Sequence, residues 1–144
     1  MESASYELGP WQDGRTVLTA TGQISASALA AGLAGLLAAI RAEIGTTEEA
    51  DATTALAIRA EGAGIAEVFT GLATALLDEI EHEAYDVRAV RFDGMVRTDE
   101  GLAAWGYAMA VPGEGTPAGV AVEDVVVTDK GGLITLRAVL RRIS

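Results

Sequence analysis

The sequence predicts an α+β fold in the order β-α-β-α-β-β-β-β, with two helices packed on one face of a mixed or antiparallel sheet. Three observations lead there. Two stretches with helical spacing of apolar residues, each preceded by a short strand and a glycine, occupy the first 85 positions. After Tyr85 the hydrophobic period switches to two. A length of 144 residues suits one core, so 1–144 reads as a single domain: two βα units over about 16–85, then a hairpin-rich half over 86–144.

Thr16 to Thr21 is a short strand stopped by Gly22. Leu29, Leu33, Leu36, Leu37, Ile40 and Ile44 then mark an amphipathic helix, which Gly45-Thr46-Thr47 ends. Ala28, Gly32, Gly35 and Ala39 form a second stripe, small enough for another element to approach closely. Thr46 to Thr54 is an acidic loop, and Ala55 to Ala60 a second strand. Ile65, Val68, Phe69, Leu72, Leu76, Leu77 and Ile80 mark the second helix, with Glu67 placed to suit the dipole of its first turn. An echo at an offset of 40 relates the two units: Gly22 to Gly62, Leu29 to Phe69, Leu36 to Leu76 and Ile40 to Ile80. Duplication and the pattern shared by any two βα units explain it equally well.

Val87 to Phe92 is a strand, and Asp93-Gly94 reads as a turn. Leu102 to Val111 alternates most clearly. Ala103, Trp105, Tyr107, Met109 and Val111 point one way; Leu102, Ala104, Gly106, Ala108 and Ala110 point the other. The small face suits a close helix, and the aromatic face suits either a second core layer or a partner. Pro112 to Gly119 is a loop, and Val120–Thr128 and Leu133–Leu140 are strands joined at Asp129-Lys130-Gly131-Gly132, with glycines where φ must be positive.

Composition excludes several function classes. With no cysteine there is no disulfide scaffold, thiolate metal site or cysteine nucleophile. One histidine, His82, rules out a multi-histidine site within the chain. Ten basic against 21 acidic residues, net charge −11, leave no basic footprint, so no direct nucleic-acid binding is expected. The N-terminus lacks a basic region followed by an apolar one. The apolar stretch from Ala26 to Ile40 falls short of the roughly 20 residues a spanning helix needs. A cytoplasmic protein without a membrane partner is the expectation. Neither a phosphate loop nor a nucleophile elbow occurs, and Gly62-x-Gly64 lacks the third glycine of a dinucleotide fingerprint.

Glu61-Gly62, then Ile65-Ala66-Glu67-Val68-Phe69, then Ile80-Glu81-His82-Glu83-Ala84-Tyr85 resemble the second helix and its exit in the archease family. Tyr6-Glu7, Gly22-Gln23-Ile24 and the span from Val120-Ala121-Val122-Glu123 to Leu133 extend the likeness over nearly the whole chain. The resemblance implies a non-catalytic accessory or chaperone of an RNA ligase in tRNA splicing or RNA repair, with a protein partner and a divalent cation, calcium or magnesium, held by acidic residues. The family's N-terminal His-Thr-Ala-Asp is here Pro10-Trp11-Gln12-Asp13, leaving Asp13 for the aspartate after a short shift. Glu123 stands where the family has a histidine, and Arg141 falls near its last aspartate. An arginine repels a cation, so the resemblance implies an eroded ion corner.

Asp78, Glu79, Glu81, Glu83 and Asp86 crowd the end of the second helix around His82. Hard cations take several carboxylate oxygens, which makes Asp13, Glu81 and Glu83 the metal candidates. A solvated acidic face explains the same residues, since 78 and 82 share a helix face, 79 and 83 share another, and 81 points elsewhere. No catalytic residue is assigned. Two further classes stay open: a small metal-dependent hydrolase using this acidic set, and a homo-oligomeric scaffold pairing through the aromatic strand face. Arg137, Arg141 and Arg142 suit an anion or an acidic partner as well as ordinary surface charge.

Overall fold

The computed structural model describes residues 4–44, 53–83, 85–112 and 119–143. The predicted stop at 45–47, the acidic loop over 46–52 and the loop over 113–118 lie outside them. The elements are β1 (Ser5–Leu8), β2 (Arg15–Gly22), α1 (Ser25–Ile44), β3 (Thr54–Gly62), α2 (Ile65–Glu81), β4 (Tyr85–Thr98), β5 (Gly101–Pro112), β6 (Val120–Lys130) and β7 (Leu133–Arg142).

The predicted order and the single sheet are both overturned. An extra strand, β1, precedes the first unit, and the strands form two antiparallel sheets: β1-β2-β7-β6 and β3-β5-β4. The helices do not lie on one face of one sheet. α1 touches β1, β2 and β7 of the four-stranded sheet and β4 of the other; α2 touches β3, β4 and β5 and also β6. The helix pair therefore fills the space between the sheets. The reason lies in α1: between Ala28 and Ile40 only Ala34 is exposed. A helix apolar on all sides needs cover on both sides, which a single sheet cannot supply.

Each sheet turns one face to this core. Thr16, Leu18 and Ala20 alternate inward along β2, and Ile134, Leu136, Ala138 and Leu140 along β7. Ala104, Ala108 and Ala110 do so along β5, where the small face admits the helices as the alternation predicts. The small stripe of α1 is also used. A Cβ on Gly32 would stand 2.9 Å from the Phe69 ring of α2, and one on Gly35 only 2.3 Å from Leu18. The two βα units do match locally: added Cβ atoms on Gly22 and Gly62 would strike the helix starts at Ser27–Ala28 and Glu67–Val68. Yet β2 and β3 belong to different sheets.

Asp93-Gly94 is not a turn. β4 runs on through it, with pairing shifts between Val87 and Ala89 and between Phe92 and Gly94, and the chain reverses after Thr98. Gly131 and Gly132 do form the predicted hairpin, with φ of 60° and 82°. Among the described residues no helix is long and apolar enough to cross a membrane.

Candidate functional site

The chain ends its four-stranded sheet at a charged corner. Gln12 and Arg15 exchange backbone hydrogen bonds of 2.8 and 3.0 Å around Asp13-Gly14. Both central residues have positive φ, 54° and 77°, the pattern of a two-residue hairpin turn that favours Asp-Gly. Asp13 is thus first a turn former. The Arg142 amide donates to the Gly14 carbonyl at 2.8 Å, clipping the end of β7 to this turn. The Arg142 guanidinium lies 4.3 Å from the Trp11 ring centroid, a cation–π contact.

Arg15 and Arg141 are direct neighbours across β2 and β7. Opposite them β6 carries a bulge: Val122 pairs with Leu140 and Val125 with Ala138, so Glu123 and Asp124 together oppose one residue. The extra residue turns Glu123 outward. Its Oε1 accepts from Arg15 Nε and its Oε2 from Arg141 Nε, both at 2.9 Å. The arginine side chains are 53% and 42% exposed, so two guanidiniums share one carboxylate at an open surface. A shallow groove lined by Gly9, Pro10, Gln12, Arg15, Thr16, Val17 and Val139 runs beside them.

The hydrogen bond from Arg15, outweighing partial desolvation, and then that from Arg141, hold Glu123 below its ordinary pKa of 4.5. A lowered carboxyl pKa means that the ion pairs hold above the ordinary carboxylate range and release as pH falls through the lowered value. Arg15→Gln should therefore move the Glu123 midpoint upward toward 4.5, read by carboxyl-carbon NMR titration. An unmoved midpoint would refute the pairing.

The other candidates lie at the exit of α2. His82 Nδ1 meets Asp78 Oδ1 at 2.5 Å, and the His82 and Glu83 amides both donate to the Asp78 carbonyl. Burial first, then Glu83 and Asp78, push the Glu79 pKa up. Asp86 turns to Arg88 Nε at 3.0 Å. Glu81 and Glu83 are exposed. Among the described residues no three Asp, Glu or His side chains gather closely enough to hold a metal ion, so Asp13, Glu81 and Glu83 are not brought together. Sequence reading missed the role of Arg15, which lies 108 positions from Glu123. Neither the spacing nor the composition signals that contact.

The fold has a solved counterpart. The solution structure of protein 1598 from Methanobacterium thermoautotrophicum superposes with a TM-score of 0.57 at 22% identity, covering 95% of this chain and 98% of that one. This chain shares its fold with that archaeal protein. No family model matches the chain, and no curated protein does.

Proposed function

We propose that this chain is an accessory protein of the archease type, without catalysis of its own, that acts on an RNA ligase by direct contact. The observation that supports the reading is the corner itself. Where the resemblance would place ion ligands, Arg15 and Arg141 flank Glu123. Two cations around one carboxylate leave the spot locally positive, which suits an acidic group on a partner better than a divalent cation. The Glu123 carboxylate orders both arginines beforehand, so less side-chain freedom is lost on docking.

The test uses the purified chain and an RNA ligase from the same source. The chain should bind the ligase and raise its rate of guanylylation. Arg15→Glu with Arg141→Glu should weaken binding about tenfold or more, the scale of a reversed rim charge pair. An unchanged guanylylation rate at saturating accessory protein would end this reading. A divalent-cation requirement for binding, lost in an Asp13→Asn variant, would favour the metal-holding alternative.

A further inference from the structure

The charged corner continues into a strip along the outer face of the four-stranded sheet. Pairing registers set three rows across β2 and β7: Arg15–Arg141, Val17–Val139 and Thr19–Arg137. Two shallow grooves run over these rows, one beside Arg15 and one beside Arg137, and they share Gly9 and Val17. Val17 is 36% exposed at the middle of the strip. Arg137 is exposed at the end away from the corner, between Thr19 on β2 and Val126 on β6, neither of them charged. Among the described residues no carboxylate pairs with it. Glu7 lines the groove at that end, but on β1, beyond Thr19.

The strip thus has guanidinium groups at both ends and an apolar floor between them. Glu123 engages the Nε atoms of Arg15 and Arg141, and each guanidinium carries further donors. Arg137 and Arg141 are four residues apart on one strand, which is about 13 Å at the rise of an extended chain. An extended segment laid along β7 repeats at the same rise. Its residues i and i+4 therefore reach the two ends from one side, and residue i+2 falls over Val17 and Val139. Carboxylates at i and i+4 meet opposite charge at each end, and an apolar i+2 covers the valines. In a chain of net charge −11, cations at both ends of one strip steer an acidic segment to it. A nucleic-acid strand suits it less, because Glu7 and Glu123 border the strip and the chain's net charge repels phosphates.

We propose that this strip seats an extended acidic segment of a partner protein, with carboxylates four residues apart and an apolar residue midway. The proposal rests on the reading of the corner as a protein contact and adds Val17, Val139 and Arg137 to it. The probe is the end-blocked synthetic peptide Glu-Thr-Val-Thr-Glu, titrated into the whole chain at low salt and followed by amide NMR. Shifts should gather at 15–19 and 137–141, with a Kd of about 1 mM, the scale of a few exposed contacts. The peptide Thr-Glu-Val-Glu-Thr, of equal composition but wrong spacing, should bind about threefold or more weakly. Arg137→Gln should weaken the first peptide about three- to fivefold, the scale of one exposed charge pair. The position is exposed, and circular dichroism checks that the variant folds. No shifts up to 5 mM peptide (about five times the expected Kd), shifts elsewhere, equal binding of the two peptides, indifference to Arg137→Gln, or tighter binding of a ten-uridine RNA at the strip would overturn the proposal. A ligase that is held through Arg15 and Arg141 yet indifferent to Arg137→Gln would end this proposal and keep the accessory reading.

Discussion

Phe69→Ala should cost the fold about 3–5 kcal/mol, the range for an aromatic ring removed from a packed core. Phe69 is fully buried on α2, and its ring fills the space that Gly32 leaves open on α1. The ring therefore joins the two helices, and without it the groove becomes a void lined by α1 and β7, since Leu136 also reaches Gly32. At roughly 3–4 °C per kcal/mol for a chain of this size, the midpoint of thermal unfolding should fall about 10–20 °C. Calorimetry reads this directly. Enlarging Gly32 to Ala in the Phe69→Ala background should recover part of the loss, because the added methyl enters the void, while the same change alone crowds the ring at 2.9 Å. A fall of only a few degrees in Phe69→Ala would mean that the helices are not packed through this ring.

Both helices and most strand positions are legible in the chain because they rest on local periodicity. The arrangement into two sheets is not, because it depends on pairs such as Arg15 with Arg141 and Gly22 with Ile134, far apart in the chain. One clue to it was present. From Ser25 to Ile40 the chain carries no charged residue, so α1 has no face suited to water, and two-sided cover follows. β1 is short and mostly exposed, and only its pairing with β2 makes it a strand. The dipeptide Asp-Gly shows how context decides. At 13–14 it forms a tight turn with two positive φ values, although the resemblance directed attention to Asp13 as an ion ligand. At 93–94 it lies within continuous pairing, and the glycine serves to make room for Trp105. The charged corner was half legible. The resemblance read from the sequence points to Glu123 and Arg141, but the β6 bulge that aims Glu123 leaves no local mark in Val122-Glu123-Asp124-Val125.

Gly106→Val should rival the loss of Phe69. Gly106 is buried at the centre of β5, paired with Ile58 on one side and Phe92 on the other. A Cβ there would stand 2.2 Å from the Arg91 carbonyl oxygen and 3.1 Å from the Phe92 Cα. Both are backbone atoms, which cannot rotate aside as a side chain would. β4 must move, and it is already bulged between Phe92 and Gly94. Overpacking in a core costs about 1–3 kcal/mol when side chains can adjust, so a clash with fixed backbone on a central strand should reach about 3 kcal/mol or more. The damage should also be local in a way that Phe69→Ala is not. Displacing β4 beside the bulge shifts Gly94, and with it the indole of Trp105, so Trp105 fluorescence and near-ultraviolet dichroism should change even where the variant remains folded. Gly131→Ala is the useful contrast. It lies in a turn with nothing within 4 Å of an added Cβ, and only its φ of 60° is strained, so its cost should be about 1–2 kcal/mol with the Trp105 signal untouched. If Gly106→Val melted like the parent chain, β4 could not lie against β5 in the register that sets Phe92 beside Gly106.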